Sequence, residues 1–161
     1  MGNHILVIFW GVCLVAQLVL VIAFNVLNEH RIAVLEYAGY AVWIVSMIFG
    51  WLPILIFKKK GGVARGKSYV HTTTLVTTGL YGIIRHPQYT AGILLSLALL
   101  LVSQHVIIIL LGVVVMPLLY IDIMKADRSA IGKFGDEYRR YMKKVPRTNF
   151  ILGIIRYFRK P

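Results

Sequence analysis

Apolar residues run from Ile5 to Leu27 with no charge among them, a 23-residue stretch broken only by the polar side chains of Gln17 and Asn25. At about 1.5 Å per residue a helix of that length crosses the ~30 Å of bilayer hydrocarbon. A second run, Val34 to Phe57, is entered past Glu36 and stopped by Lys58, Lys59 and Lys60. The third, Tyr89 to Val102, has only 14 residues. It is followed by the polar triplet Ser103, Gln104, His105 and then by an apolar run from Val106 to Ile123. The pair reads as a helical hairpin whose first arm, about 20 Å long, must tilt, extend backwards past Pro87 or insert only partly. The pattern predicts an all-α integral membrane protein with about four transmembrane helices in two hairpins. It forms a single membrane domain over residues 1–161, divided into an N-terminal two-span hairpin, 5–57, and a part spanning 58–161 that holds the hairpin 89–124.

Two segments are left outside the spans. Lys58 to Gln88, with its glycines and the Thr-rich run from His71 to Thr78, predicts loop or extended backbone. After Lys125, the residues Asp127, Ile131, Phe134, Tyr138 and Tyr141 recur at spacings of four and three, which puts them on one face of a cytoplasmic helix. On the residues alone Asp127 reads as a charge at that helix's N-terminus, and Tyr138 and Tyr141 as packing and belt residues. Phe150 to Phe158, followed by Arg159 and Lys160, predicts a short helix lying in the membrane interface. Residues Gly61 to Ser68 satisfy the phosphate-loop pattern G-x-x-x-x-G-K-S. That loop needs a strand before it and a helix after it; an apolar span and Thr-rich sequence flank it here, so it reads as a basic linker.

Composition agrees with a bilayer: 58% of residues are hydrophobic and the mean hydropathy is +0.75. The 18 Lys and Arg against 6 Asp and Glu give a net charge of +12. Of those cations only Arg31 lies between the first two spans, and the other 17 follow Phe57. The positive-inside rule then places both termini in the cytoplasm, in the plasma membrane of a prokaryote or the endoplasmic reticulum of a eukaryote. Topology and membrane lipids with anionic headgroups account for the basic excess, so no nucleic acid partner is expected. No basic residue precedes the first span, as a secretory signal would require, so it is expected to stay in the mature protein. The lone Cys13 excludes an internal disulfide, and the scattered His residues predict no metal site.

The stretch Leu75 to Gly92 carries the chemistry. Pro87 fits the first turn of the third helix and would leave amides upstream open to an anion. Arg85 offers a cation and planar donors for a carboxylate, and His86 donates or accepts a proton near neutral pH. The alternative from the residues alone is that Arg85 snorkels to phosphates and His86 caps the helix.

This stretch resembles the isoprenylcysteine carboxyl methyltransferase family and its relatives the phospholipid methyltransferases. The shared pattern L-V-T-x-G-x-Y-x-x-x-R-H-P-x-Y is met at Leu75, Val76, Thr77, Gly79, Tyr81, Arg85, His86, Pro87 and Tyr89, with Gly92 displaced one place. After the hairpin, F-G-x-x-Y-x-x-Y and V-P-R are met at Phe134, Gly135, Tyr138, Tyr141, Val145, Pro146 and Arg147. The resemblance implies a methyltransferase using S-adenosylmethionine, with a lipophilic substrate arriving from the bilayer, and makes 58–161 the catalytic, cofactor-binding part. It implies that Gly79, Tyr81, His86, Pro87, Tyr89 and Asp127 hold the cofactor. The family's paired glutamates fall on Ala126 and Asp127, so one carboxylate is missing and the other is a methylene shorter.

Methyl transfer from a sulfonium depends on alignment and exclusion of water more than on acids and bases. A carboxylate acceptor is already ionised and needs no base, and Arg147 or Arg85 is the expected group to hold it, the catalytic role assigned to both. An amine or thiol acceptor would need His86 as base. A non-enzymatic module binding anionic lipid or a partner protein is the competing reading.

Overall fold

The computed structural model of the chain describes residues 2–60 and 73–159. The phosphate-loop match and His71 lie outside the described residues. Five α-helices appear in the order α1 (Gly2–Ile22), α2 (Ala33–Lys60), α3 (Pro87–Ser103), α4 (Val106–Lys144) and α5 (Phe150–Phe158), with a short 3-10 helix at Gly79–Gly82. Among the described residues there is no strand. α1, α2 and α4 are long and apolar enough to cross a membrane, and α3 is a shorter apolar helix. The outward faces confirm the solvent they are built for: Ile8, Ile44 and Leu110 are 64%, 62% and 61% exposed, a display of large aliphatic side chains suited to lipid and not to water. This is an all-α membrane protein.

Two compact units are formed, one of Met1–Ile48 with Ala91–Met124 and the other of Phe49–Thr90 with Lys125–Pro161. In the first, Val21, Leu99, Val102 and Ile108 make a core on which Leu18, Trp43 and Leu95 pack. Inside this apolar packing every polar group has to find a protein partner, since lipid supplies none. The amide of Gln17, fully buried, donates to the Ile108 carbonyl at 3.0 Å and accepts from the Ser96 hydroxyl at 2.8 Å. Ser46 donates to the Ala91 carbonyl at 2.8 Å.

The two turns of this unit are stitched together. The side chain of Gln104, at positive φ, donates to the Ile32 carbonyl at 3.0 Å and accepts from the Ile32 amide at 2.9 Å. The Asn28 amide donates to the Ser103 carbonyl, and Ser103 Oγ donates to the Val26 carbonyl. The polar triplet that ends the apolar run after Val102 is therefore the fastener between the α1–α2 and α3–α4 connections.

Three expectations from the sequence are refined here. α2 continues to Lys60, three residues beyond the apolar run, because nothing in Lys58 to Lys60 opposes helix and the cations suit its C-terminus. The 17-residue α3 begins at Pro87 itself, whose fixed φ suits a first turn. α4 does not stop at the lipid boundary: it runs unbroken from Val106 past Lys125 and turns at Gly135, whose φ of 55° and ψ of −131° are open to glycine. Asp127 is therefore in a helix interior, so the N-terminal charge reading of it fails.

Gly39 lets α2 approach α3 closely: a Cβ there would stand 2.7 Å from Val102 Cγ2, 2.9 Å from the Val102 nitrogen and 3.0 Å from the Ala98 carbonyl oxygen. Two of those atoms are backbone and cannot rotate aside. Gly39→Ala is expected to destabilise the protein by about 1–3 kcal/mol, as overpacking does, and to lower the midpoint of a detergent thermal-unfolding curve. Gly11→Ala, in a helix interior where the added carbon meets no other part of the protein within 4 Å, should not lower it and should raise it slightly, since alanine favours helix over glycine by about 0.5–1 kcal/mol.

Candidate active site

The second unit is held by a meeting of its two motif blocks. The Arg85 amide donates to the Pro146 carbonyl at 3.0 Å and the His86 amide to the Arg147 carbonyl at 3.2 Å. The amides just upstream of Pro87, expected to await an anion, are thus taken by the V-P-R segment; the two stretches are remote along the chain, so spacing alone did not reveal it. Tyr141 closes a third link by donating its hydroxyl to the Tyr81 carbonyl. Tyr138, Tyr141 and Val145 form the core beneath, with Leu75, Ile131 and Phe134 packed on it. The five positions read as one face of the cytoplasmic helix do lie together.

Asp127 is the centre of this arrangement. One carboxylate oxygen, Oδ1, accepts from Tyr138 at 2.6 Å and from Arg85 Nη1 at 3.1 Å, and stands 2.7 Å from His86 Nε2. The other, Oδ2, accepts from Arg147 Nε at 2.8 Å. The side chain is 4% exposed, as is fitting for a charge that four donors replace water around. Ala126 leaves no second carboxylate to share them.

Burial by itself pushes the Asp127 carboxyl up. The hydrogen bonds of His86 and Tyr138, with the charges of His86 and Arg85, outweigh that and hold it well below the usual carboxylate range. Burial first, then the hydrogen bond to Asp127 and its charge, push the Tyr138 hydroxyl up, so it stays a donor. Burial and the neighbouring Tyr138 do the same to Tyr141. Two guanidinium groups against one carboxylate leave the cluster with an excess of positive charge. Arg85 Nε is buried with no hydrogen-bond partner, while the Arg147 side chain is 29% exposed and reachable.

Above this cluster is a cavity of about 200 Å³. Tyr81, Arg85, His86, Pro87 and Tyr89, all singled out in the sequence, line it. His86 and Tyr89 meet edge to face with ring centroids 5.9 Å apart. Asp127 and Arg147 are not on its wall but bind residues that are, and Gly79, at φ +63°, starts the 3-10 turn that delivers Tyr81. Phe134, Tyr138 and Tyr141 also line it, so the two tyrosines, read from the sequence as packing residues, both pack in the core and wall the cavity. Their four- and three-residue spacing from Asp127 was the available signal.

An all-helical membrane protein with a cationic, aromatic-walled pocket beside its R-H-P motif is the class this fold and site define. A model of the phospholipid methyltransferase family matches residues 35–133, and the chain belongs to that family. It is 30% identical over 93 residues to the Protein-S-isoprenylcysteine O-methyltransferase of Schizosaccharomyces pombe, an alignment covering 52% of this chain and 39% of that protein. The chain thus matches about two-fifths of the length of that curated relative. No solved structure matches.

Asp127→Asn removes the charge while keeping the shape, leaving two guanidinium groups facing a neutral amide, and is expected to cost about 3–5 kcal/mol at neutral pH. Because the folded carboxyl is depressed, its contribution is complete above the unfolded value near ~4 and is lost as pH falls from there toward the folded value. The gap between the wild-type and Asp127→Asn unfolding midpoints should not narrow between pH 8 and 5 and should narrow below about pH 4. A gap that closes already between pH 7 and 5 would contradict this.

Proposed function

We propose that this chain transfers methyl from S-adenosylmethionine to a lipophilic acceptor drawn from the bilayer, most like the carboxyl of an isoprenylcysteine-type substrate. The observation that carries the reading is the convergence of both motif blocks on Asp127 beneath one aromatic-walled cavity. The donor set suits the cofactor. Aromatic faces of Tyr89, Phe134 and Tyr138 favour both a flat purine and a positive sulfur. The unpartnered Arg85 Nε and the excess cationic charge favour a carboxylate.

When bound, S-adenosylmethionine supplies the electrophilic methyl. The chain's own residues position and dehydrate. Tyr81, His86, Pro87, Tyr89 and the Gly79 turn hold the cofactor in this reading, with Asp127 fixing His86 and Tyr138 from behind. Arg85, on the cavity wall, and Arg147, whose side chain is partly exposed, steer the acceptor carboxylate, which is ionised at neutral pH and attacks without a base. The pocket's mostly apolar lining keeps water low, which strengthens each of these contacts.

The family match itself favours a second reading, a phospholipid amine as acceptor. A protonated amine must lose a proton before attack, and His86 is the pocket group able to take it. In the proposed topology four helices cross, and both termini and the pocket face the cytoplasm.

Titration calorimetry of the detergent-purified chain with S-adenosylhomocysteine is expected to show one binding site, and Tyr89→Ala or His86→Ala to weaken it at least about tenfold, the loss of one good contact. An absence of heat at millimolar ligand would refute cofactor binding. Labelled methyl should then enter a prenylated cysteine carboxylate, with Arg147→Lys raising KM for that acceptor. Uptake into phosphatidylethanolamine alone would favour the amine reading.

A further inference from the structure

Helix α5 presents three different surfaces. Ile151, Ile154, Ile155 and Phe158 stand at positions i, i+3, i+4 and i+7, so they form one stripe, and they are 63%, 40%, 44% and 79% exposed. A second side packs on the rest of its unit. The Phe150 ring meets Phe49 of α2 at 5.4 Å, and Gly153 lies so close to Ile83 that an added Cβ would stand 2.0 Å from the Ile83 carbonyl oxygen. Tyr157 lies over Gly82, where a Cβ would be 3.0 Å from its ring. Arg156 is exposed on the side away from the apolar stripe, and Arg159 is exposed just past the helix end.

The depth of this helix can be read from its neighbours. Phe49 belongs to the apolar part of α2, nine residues before Lys58, while Gly79 lies near Ile56 and Lys60 donates to Thr78 at 3.2 Å. The chain beside α5 therefore meets α2 from Phe49, about 13 Å short of Lys58 and within the apolar part, to Lys60, so α5 lies across the boundary where hydrocarbon gives way to headgroups. Charge selects the kind of headgroup. Outside the Asp127 cluster, which takes up Arg85 and Arg147, the unit that contains α5 has 15 Lys and Arg against Asp136 and Glu137 in its sequence. Such a surface gains from anionic lipid and little from a zwitterionic one. An apolar stripe plus a set of cations is the two-part anchor that holds a helix in an interface.

We propose that α5 seats its Ile151–Phe158 stripe in an anionic leaflet, and that this seating holds the Gly82–His86 segment in its folded geometry. Coupling runs through the Gly153–Ile83 contact, where backbone meets backbone with no flexible side chain between to absorb a displacement. Two residues further, the Arg85 and His86 amides make their bonds to Pro146 and Arg147, on the strand of chain that leads directly into α5. Lifting α5 off the leaflet therefore pulls on both sides of those bonds.

The test uses the whole chain with Cys13→Ala and Ile155→Cys, labelled at position 155 with an environment-sensitive fluorophore and reconstituted in phosphatidylcholine vesicles with or without phosphatidylglycerol. With phosphatidylglycerol, emission should shift to the blue and be quenched by lipids carrying a nitroxide near the headgroup, and omission of phosphatidylglycerol should cut that quenching at least about twofold. In the unlabelled wild type, hydrogen exchange of the Gly82–His86 amides should be on the order of tenfold faster in the pure phosphatidylcholine vesicles, and Ile155→Glu should speed it similarly in the mixed ones. Emission typical of water in both vesicle types overturns the proposal. So does burial of the label that follows protein-to-lipid ratio and not lipid charge, which would assign the stripe to a second copy of the chain. Exchange at Gly82–His86 indifferent to lipid composition overturns the coupling. None of these readouts uses the cofactor, so they stand or fall apart from the proposed activity.

Discussion

A single carboxylate with four donors organises the second unit. Asp127 gathers Arg85 and His86 from the segment before α3, Tyr138 from three turns further along α4, and Arg147 from the link to α5. Three stretches that the chain order keeps apart thus meet at one carboxylate. Remove the carboxylate and two guanidinium groups and an imidazole are left facing one another around a nearly closed space, an arrangement that repels itself.

A cluster of this kind is a weak source of net stability, because stripping water from the charges costs nearly what their attraction returns. Its stronger effect is on geometry. The carboxylate fixes the rotamers of His86 and Tyr138 on the cavity wall and orients Arg147, which is not on that wall, and the two backbone bonds from Arg85 and His86 keep the wall from drifting. For the proposed methyl transfer, whose barrier falls mainly by alignment and dehydration, such a preorganised wall is the useful product of the fold.

The membrane helices were legible because a span needs only length and freedom from charge, and α1, α2 and α4 state both directly, while α3 is apolar but shorter. Their limits were less so. The change from apolar to charged sequence near Lys125 looks like an ending, yet α4 continues because backbone helix is indifferent to what its outer face contacts. The turn at Gly135 rests on one positive φ that any glycine permits and few require. The members of the site were readable one by one from the motif letters, and α-helical spacing already placed Asp127, Phe134, Tyr138 and Tyr141 on one face. What spacing could not show was that Pro146 and Arg147 supply carbonyls to the amides before α3, or that Arg85 and Arg147 both turn to Asp127. Those pairings depend on how distant segments fold onto each other, which local pattern does not encode.

The central claim is that Gly79–Tyr89 and Ala130–Arg147 jointly enclose one adenosyl ligand. Photo-crosslinking of the membrane-reconstituted chain with an azido-adenosyl analogue of S-adenosylhomocysteine, followed by peptide mapping, addresses it directly. Labelling should fall in both stretches, compete away with unmodified S-adenosylhomocysteine, and disappear from both together in Asp127→Asn. Labelling confined to one stretch, or spread along the spans and insensitive to competitor, would contradict the claim.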